Sequence, residues 1–101
     1  MLAIEKTERF TRWLDGLRDR TAAALIITRL ARLQAGHFGD VKAIGDGVSE
    51  LRIDRGPGYR VYFTRLGDTV VLLLCGGDKA TQRADVETSK HMAARMRRNW
   101  K

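Results

Sequence analysis

Residues 51–62, LRIDRGPGYRVY, and the loop Cys75-Gly76-Gly77-Asp78-Lys79 one strand later hold the side chains that grip anions: three arginines and a lysine. Alternate side chains of a strand point to opposite faces. Leu51 and Ile53 on one strand, with Tyr59, Val61 and Phe63 on the next, therefore form a buried set, and Glu50, Arg52, Asp54, Arg60, Tyr62 and Thr64 fall on the other face. Gly56-Pro57-Gly58 between them reads as a chain reversal, because glycine admits positive φ and proline fixes φ near about −65°. Arg52 and Arg60 then share one face of adjacent strands. Like charges across a strand pair repel. The pair implies either a neighbouring carboxylate, with Glu50 and Asp54 as candidates, or an external anion. An ordinary solvated, salt-bridged sheet face is the alternative reading of the same charges.

The elements that must position these groups follow from periodicity. Residues 1–5 read as a short edge strand. Phe10, Trp13, Leu14 and Leu17 recur at helical spacing over 7–17, with Thr7 as the cap and Gly16 and Asp19 at the end. A second helix over 21–35 turns Ala23, Ile26, Ile27, Leu30 and Leu33 inward and stops at Gly36. Strands at 40–44, 48–54, 59–65 and 69–75 follow, separated by Gly45-Asp46-Gly47, Gly56-Pro57-Gly58 and Gly67-Asp68, as an antiparallel meander. The run 70–75 is apolar on both faces, which places it centrally with material on each side. The first two helices cover one face, so a helix from Asp78 or Thr81 to about Arg98 must cover part of the other. Val86, Ser89, Met92, Ala93 and Met96 point inward on it; Lys90, Arg95, Arg97 and Arg98 point out. The order β-α-α-β-β-β-β-α gives an α+β fold: an antiparallel sheet with an N-terminal helical hairpin and a C-terminal helix. Trp13 belongs to the core, whereas Trp100 has no assigned role.

Composition bounds the function. At 101 residues and 44% hydrophobic content, the chain reads as one domain, 1–101, with a single core. Its apolar runs, 70–75 among them, are too short to cross a membrane, and no signal peptide is evident, so a cytoplasmic location is expected. The single cysteine, Cys75, lies in that run, excludes an internal disulfide and reads as a small buried hydrophobe. The net charge of +7 is unevenly spread: residues 1–50 hold eight basic and seven acidic side chains, residues 51–101 eleven and five. The excess coincides with the hairpin, the Lys79 loop and the last helix, which points to a polyanionic partner. No His/Cys/Asp/Glu cluster stands at metal-ligand spacing, and no P-loop is present, so neither a metal nor a cofactor is expected.

Phe10, Trp13 and Leu14, then Gly39-Asp40-Val41-Lys42, Glu50-Leu51-Arg52-Ile53, the GPGYRVY string from Gly56 to Tyr62 and the GGDKATQ string from Gly76 to Gln82 resemble the RelE/ParE toxin superfamily. More narrowly, they are similar to its HigB-like branch of phage-derived addiction-module killer proteins. The resemblance spans essentially the whole chain in order. It implies a toxin of a type II toxin–antitoxin module with a RelE-like fold, whose usual activity is mRNA cleavage on the ribosome. It also implies an antitoxin partner of helix-turn-helix type, with operator DNA bound only indirectly through that partner.

Such cleavage needs a base for the ribose 2′-hydroxyl, a proton donor for the leaving 5′-oxygen and cations around the phosphorane. Arg60 is the first candidate for clamping phosphate, because a guanidinium grips it in two places and keeps its charge. Lys79 and Arg52 add charge, and Lys79 doubles as a candidate base. Lys42, Arg55, Gln82, Arg83 and Lys90 are candidates for flanking RNA, and Tyr62 for stacking on a base. Characterised relatives carry a tyrosine or histidine near the C-terminus for proton transfer; here that neighbourhood offers Asp85, Lys90 and His91, of which His91 is the catalytic candidate. Two other readings stay open: a ParE-like gyrase inhibitor and a non-catalytic basic nucleic-acid-binding domain. The nuclease reading requires that Arg52, Arg60 and Lys79 converge on one pocket without each being neutralised by its own carboxylate.

Overall fold

The computed structural model describes residues 1–99; Trp100 lies outside the described residues. Thr7 opens the helical part of the chain by accepting the Phe10 N–H at 3.1 Å and donating its hydroxyl to the Leu74 carbonyl at 2.6 Å. One side chain thus caps α1 (Glu8–Asp15) and ties it to the sheet. Asp19, expected to mark the end of α1, instead caps α2 (Arg20–Gln34) by accepting the Ala22 N–H at 3.1 Å.

Five strands form one sheet in the order β1-β5-β4-β3-β2. β2 (Val41–Gly45), β3 (Val48–Ile53), β4 (Tyr59–Leu66) and β5 (Val70–Gly77) make the antiparallel meander expected from the turn signals. β1 (Ala3–Lys6) departs from it by joining β5 in parallel at the edge. The sheet is therefore mixed. Pairing between residues nearly seventy positions apart leaves no mark on local periodicity, which is why the direction of β1 was not visible in sequence.

Each face of the sheet has its own core. Phe10, Ile26, Leu30 and Leu33 of α1 and α2 pack on Leu51, Ile53, Val61, Phe63, Val71 and Leu73. On the other face, α3 (Gln82–Arg98) lays Ala93, Val86 and Met92 over Val48, Tyr62, Leu66, Leu72, Leu74 and Cys75. Complete burial of one such large apolar side chain stabilises by about 1.5–3 kcal/mol. Two residues expected inside face outward: Ile27 is 55% exposed and Met96 38%. Both sit where the apolar stripe of their helix is wider than the surface it covers, and Ala22 takes the inward position on α2. Among the described residues, no helix is long and apolar enough to cross a membrane.

Candidate anion-binding cleft

β3 and β4 pair with Arg52 directly opposite Arg60, so both guanidinium groups leave the sheet on one face near its end. The third cation arrives through the turn after β5. Asp78 accepts the N–H groups of Ala80 (2.9 Å) and Thr81 (3.1 Å), and Thr81 donates its hydroxyl to Asp85 at 2.5 Å, which fixes the entry to α3. The Lys79 N–H meets the Pro57 carbonyl at 3.4 Å, docking that turn on the Gly56-Pro57-Gly58 reversal. A cleft of about 350 Å³ results, lined by Arg52, Arg60, Lys79, Tyr59, Asp40 and Asp54 together with the reversal.

Gly76 and Gly77 allow this approach from both sides. A Cβ on Gly76 would overlap the Trp13 indole, and one on Gly77 the Asp85 carboxylate. Paired with Val61 and Arg60 of β4, the two glycines let helix α1 and the start of α3 close onto opposite faces of the same strand. The turn carrying Lys79 is thereby held near Arg60.

The cleft is not bare of negative charge. Arg52 donates from Nε (3.1 Å) and Nη2 (2.8 Å) to Asp40 Oδ1, in a partly exposed pair whose hydrogen bonds raise the arginine's already high pKa. The carboxylate beside Arg52 is thus Asp40, not Glu50 or Asp54 as alternation along the strand suggests. It is delivered by a loop that Arg29 of α2 fastens, donating to the carbonyls of Arg52 (2.8 Å) and Phe38 (3.3 Å). Gly39 adopts φ +69° there, and a Cβ would come within 2.9 Å of Arg29 Nη2. Arg60 faces Glu50 at 3.7 Å from Nε, with a side chain only 13% exposed and that Nε without a hydrogen-bond acceptor. Lys79 is exposed and forms no ion pair among the described residues, and the same holds for Asp54.

Several candidates lie elsewhere. Tyr62 is fully buried beneath α3, so its ring presents no face to a base; burial also drives its phenol pKa upward. The expectation of stacking fails because α3 covers the sheet face on which Tyr62 sits. Gln82 is the first residue of α3, and its amide donates to Glu50 at 2.9 Å rather than facing solvent. Arg55 turns away to Asp19, donating at 3.0 and 3.3 Å, and holds that carboxyl below its ordinary pKa. His91 lines a separate groove between α1 and α3 with Arg9, Thr88, Met92, Arg95 and Met96. Lys90 stands 3.7 Å from Asp46 beside the β2–β3 turn. Lys42 and Arg83 are exposed and line no part of the cleft. Cys75 is buried as expected, its thiol pushed up to about 12 by desolvation and the nearby Asp85 charge.

Residues 12–101 match the family described as "Phage derived protein Gp49-like (DUF891)". An uncharacterized protein of Haemophilus influenzae is 48% identical over 92 residues, covering 91% of this chain and 93% of that protein. Among solved structures, a double arginine-to-alanine mutant of the E. coli toxin RelE in the free state superposes with a TM-score of 0.68. It is 17% identical and aligns over 89% of this chain and 96% of its own. The chain belongs to the phage-derived Gp49-like family, and its fold is similar to that of the RelE toxin.

Proposed function

We propose that the protein is the toxin of a toxin–antitoxin module and an endoribonuclease that cuts mRNA on the ribosome, in the manner of HigB-like toxins. The observation that carries this reading is the approach of Arg52, Arg60 and Lys79, from two strands and a loop, to one cleft of a size suited to a phosphodiester. In the reaction, the ribose 2′-oxygen bonds to phosphorus, the bond from phosphorus to the 5′-oxygen breaks, and the products are a 2′,3′-cyclic phosphate and a 5′-hydroxyl. Lys79 and Arg60 stabilise the added charge on the phosphorane, and removing one such donor costs roughly 10²- to 10³-fold in rate. Proton transfer falls to Asp54 and Lys79, the charged side chains in the cleft that form no ion pair among the described residues. His91, in its separate groove, takes no part.

One observation favours a second reading, in which the same cleft binds a polyanion or a protein without cutting RNA, as a gyrase inhibitor would. Each arginine already stands beside a carboxylate, Arg52 by Asp40 and Arg60 by Glu50, which lowers the net positive charge available to a substrate. Induction of the wild type and of an Arg60→Ala/Lys79→Ala double mutant in a bacterium, with mapping of mRNA 5′ ends, separates the two. The nuclease reading expects growth arrest with new 5′ ends for the wild type alone. Arrest with intact transcripts and DNA breaks supports the gyrase reading, and no arrest in either strain supports a passive binder. An antitoxin encoded alongside, which would cover the basic surface, completes the proposal.

A further inference from the structure

Beneath the cleft, on the α3 side of the sheet, lies a charged group with no obvious place in an apolar layer. Glu50 is 1% exposed, in the middle of β3. A carboxylate is not buried at such cost without partners. It has two, and they come from different elements: Arg60 on β4, 3.7 Å away across the strand pair, and Gln82 at the first position of α3, bonded at 2.9 Å. Tyr62, also fully buried, leaves its phenol oxygen without a hydrogen-bond partner among the described residues.

We propose that Glu50 and Gln82 form a positioning pair that sets the Arg60 guanidinium and the Lys79 turn at a working distance from each other. Gln82 follows Lys79 by three residues, and the Gln82 N–H returns to the Lys79 carbonyl at 3.5 Å, so a tether on Gln82 constrains the turn that carries Lys79. Arg60 is reached through charge rather than through a hydrogen bond: its Nε points toward Glu50, which leaves the far end of the guanidinium for the cleft. The carboxylate touches no substrate. Its negative charge works against anion binding, so its value lies in geometry and not in affinity. This sets it apart from a residue that merely strengthens the cleft, whose removal would weaken binding. The kinetic part of the inference rests on the nuclease reading; the structural part does not.

Arginine Nε–H resonances of ¹⁵N-labelled protein test the structural part, with the Arg60 signal identified by its loss in Arg60→Lys. The variants are Glu50→Gln, which keeps an acceptor for Gln82 but removes the charge, and Gln82→Met, which keeps the volume but removes the bond. Gln82→Met stands in if Glu50→Gln fails to fold. In the wild type, the Arg60 signal is expected away from the cluster of solvent-exposed arginines. In either folded variant it moves toward that cluster while the backbone amide spectrum stays dispersed. An Arg60 signal unchanged in the folded variants overturns the proposal, whether or not the protein cuts RNA. Where the wild type does cut, kcat falls about tenfold in both variants with KM unchanged or lower, as expected when an interaction made in the transition state loses its orientation. A rise in KM at constant kcat would overturn it as well.

Discussion

Arg52 cannot hold a phosphate with the same donors it gives to Asp40, so substrate and carboxylate must compete for it. A partly exposed ion pair of this kind is worth about 0.2–1 kcal/mol. Asp40→Asn should therefore tighten binding of a short single-stranded RNA by a factor of about two to five, read by fluorescence anisotropy at fixed salt. Weaker binding would instead mean that Asp40 serves to orient Arg52. That competition was out of reach of the sequence: alternation along a strand puts Arg52 and Arg60 on one face, but Asp40 comes from a loop whose path is set by Arg29, a residue with no motif around it. Tyr62 fails for a related reason. Period-two logic assigns it correctly to the face opposite Val61 and Phe63, the face that the C-terminal helix is expected to cover in part, but it does not show that the covered part includes Tyr62.

At the scale of elements, the fold was largely legible. Helical stripes, glycine turns and the doubly apolar β5 lead to the right order of eight elements, with boundaries shifted by a few residues. What local pattern lacks is contact between distant segments, and the Gly76-Gly77 pair shows it. Read in sequence as a loop, it is the end of β5, squeezed between Trp13 and Asp85. Gly76→Ala should destabilise the protein by about 1–3 kcal/mol through overpacking against the indole, seen as a lower urea midpoint with unchanged slope. A midpoint equal to that of the wild type would show that α1 can retreat freely. The α1–α2 junction offers a pH test. Asp19 has a folded pKa below its unfolded value of about 3.9, so its ionic contribution is present above that value and lost as pH falls through the folded one. Asp19→Asn keeps the helix cap but not the pair with Arg55. The wild type should be more stable than Asp19→Asn at neutral pH, and the difference in urea midpoint should shrink in acid. A difference independent of pH would contradict the assignment.

Taken whole, the molecule carries its excess positive charge in the second half of the chain, divided between the cleft, with Arg52, Arg60 and Lys79, and the later turns of α3, where Lys90 and Arg97 lie by the β2–β3 turn. If that surface tracks an RNA backbone, affinity must fall steeply with salt. About six phosphate contacts correspond to a loss of roughly 10³-fold between about 50 and 200 mM salt. A slope of one or two contacts would confine binding to the cleft itself. The central claim is chemical, and end-group analysis tests it most directly. Purified protein is added to programmed ribosomes carrying end-labelled mRNA, and the fragments are examined for their termini. Fragments ending in a 2′,3′-cyclic phosphate and beginning with a 5′-hydroxyl are expected from the wild type and absent with Arg60→Ala/Lys79→Ala. RNA left intact by the wild type, or cut equally by the double mutant, would contradict the claim.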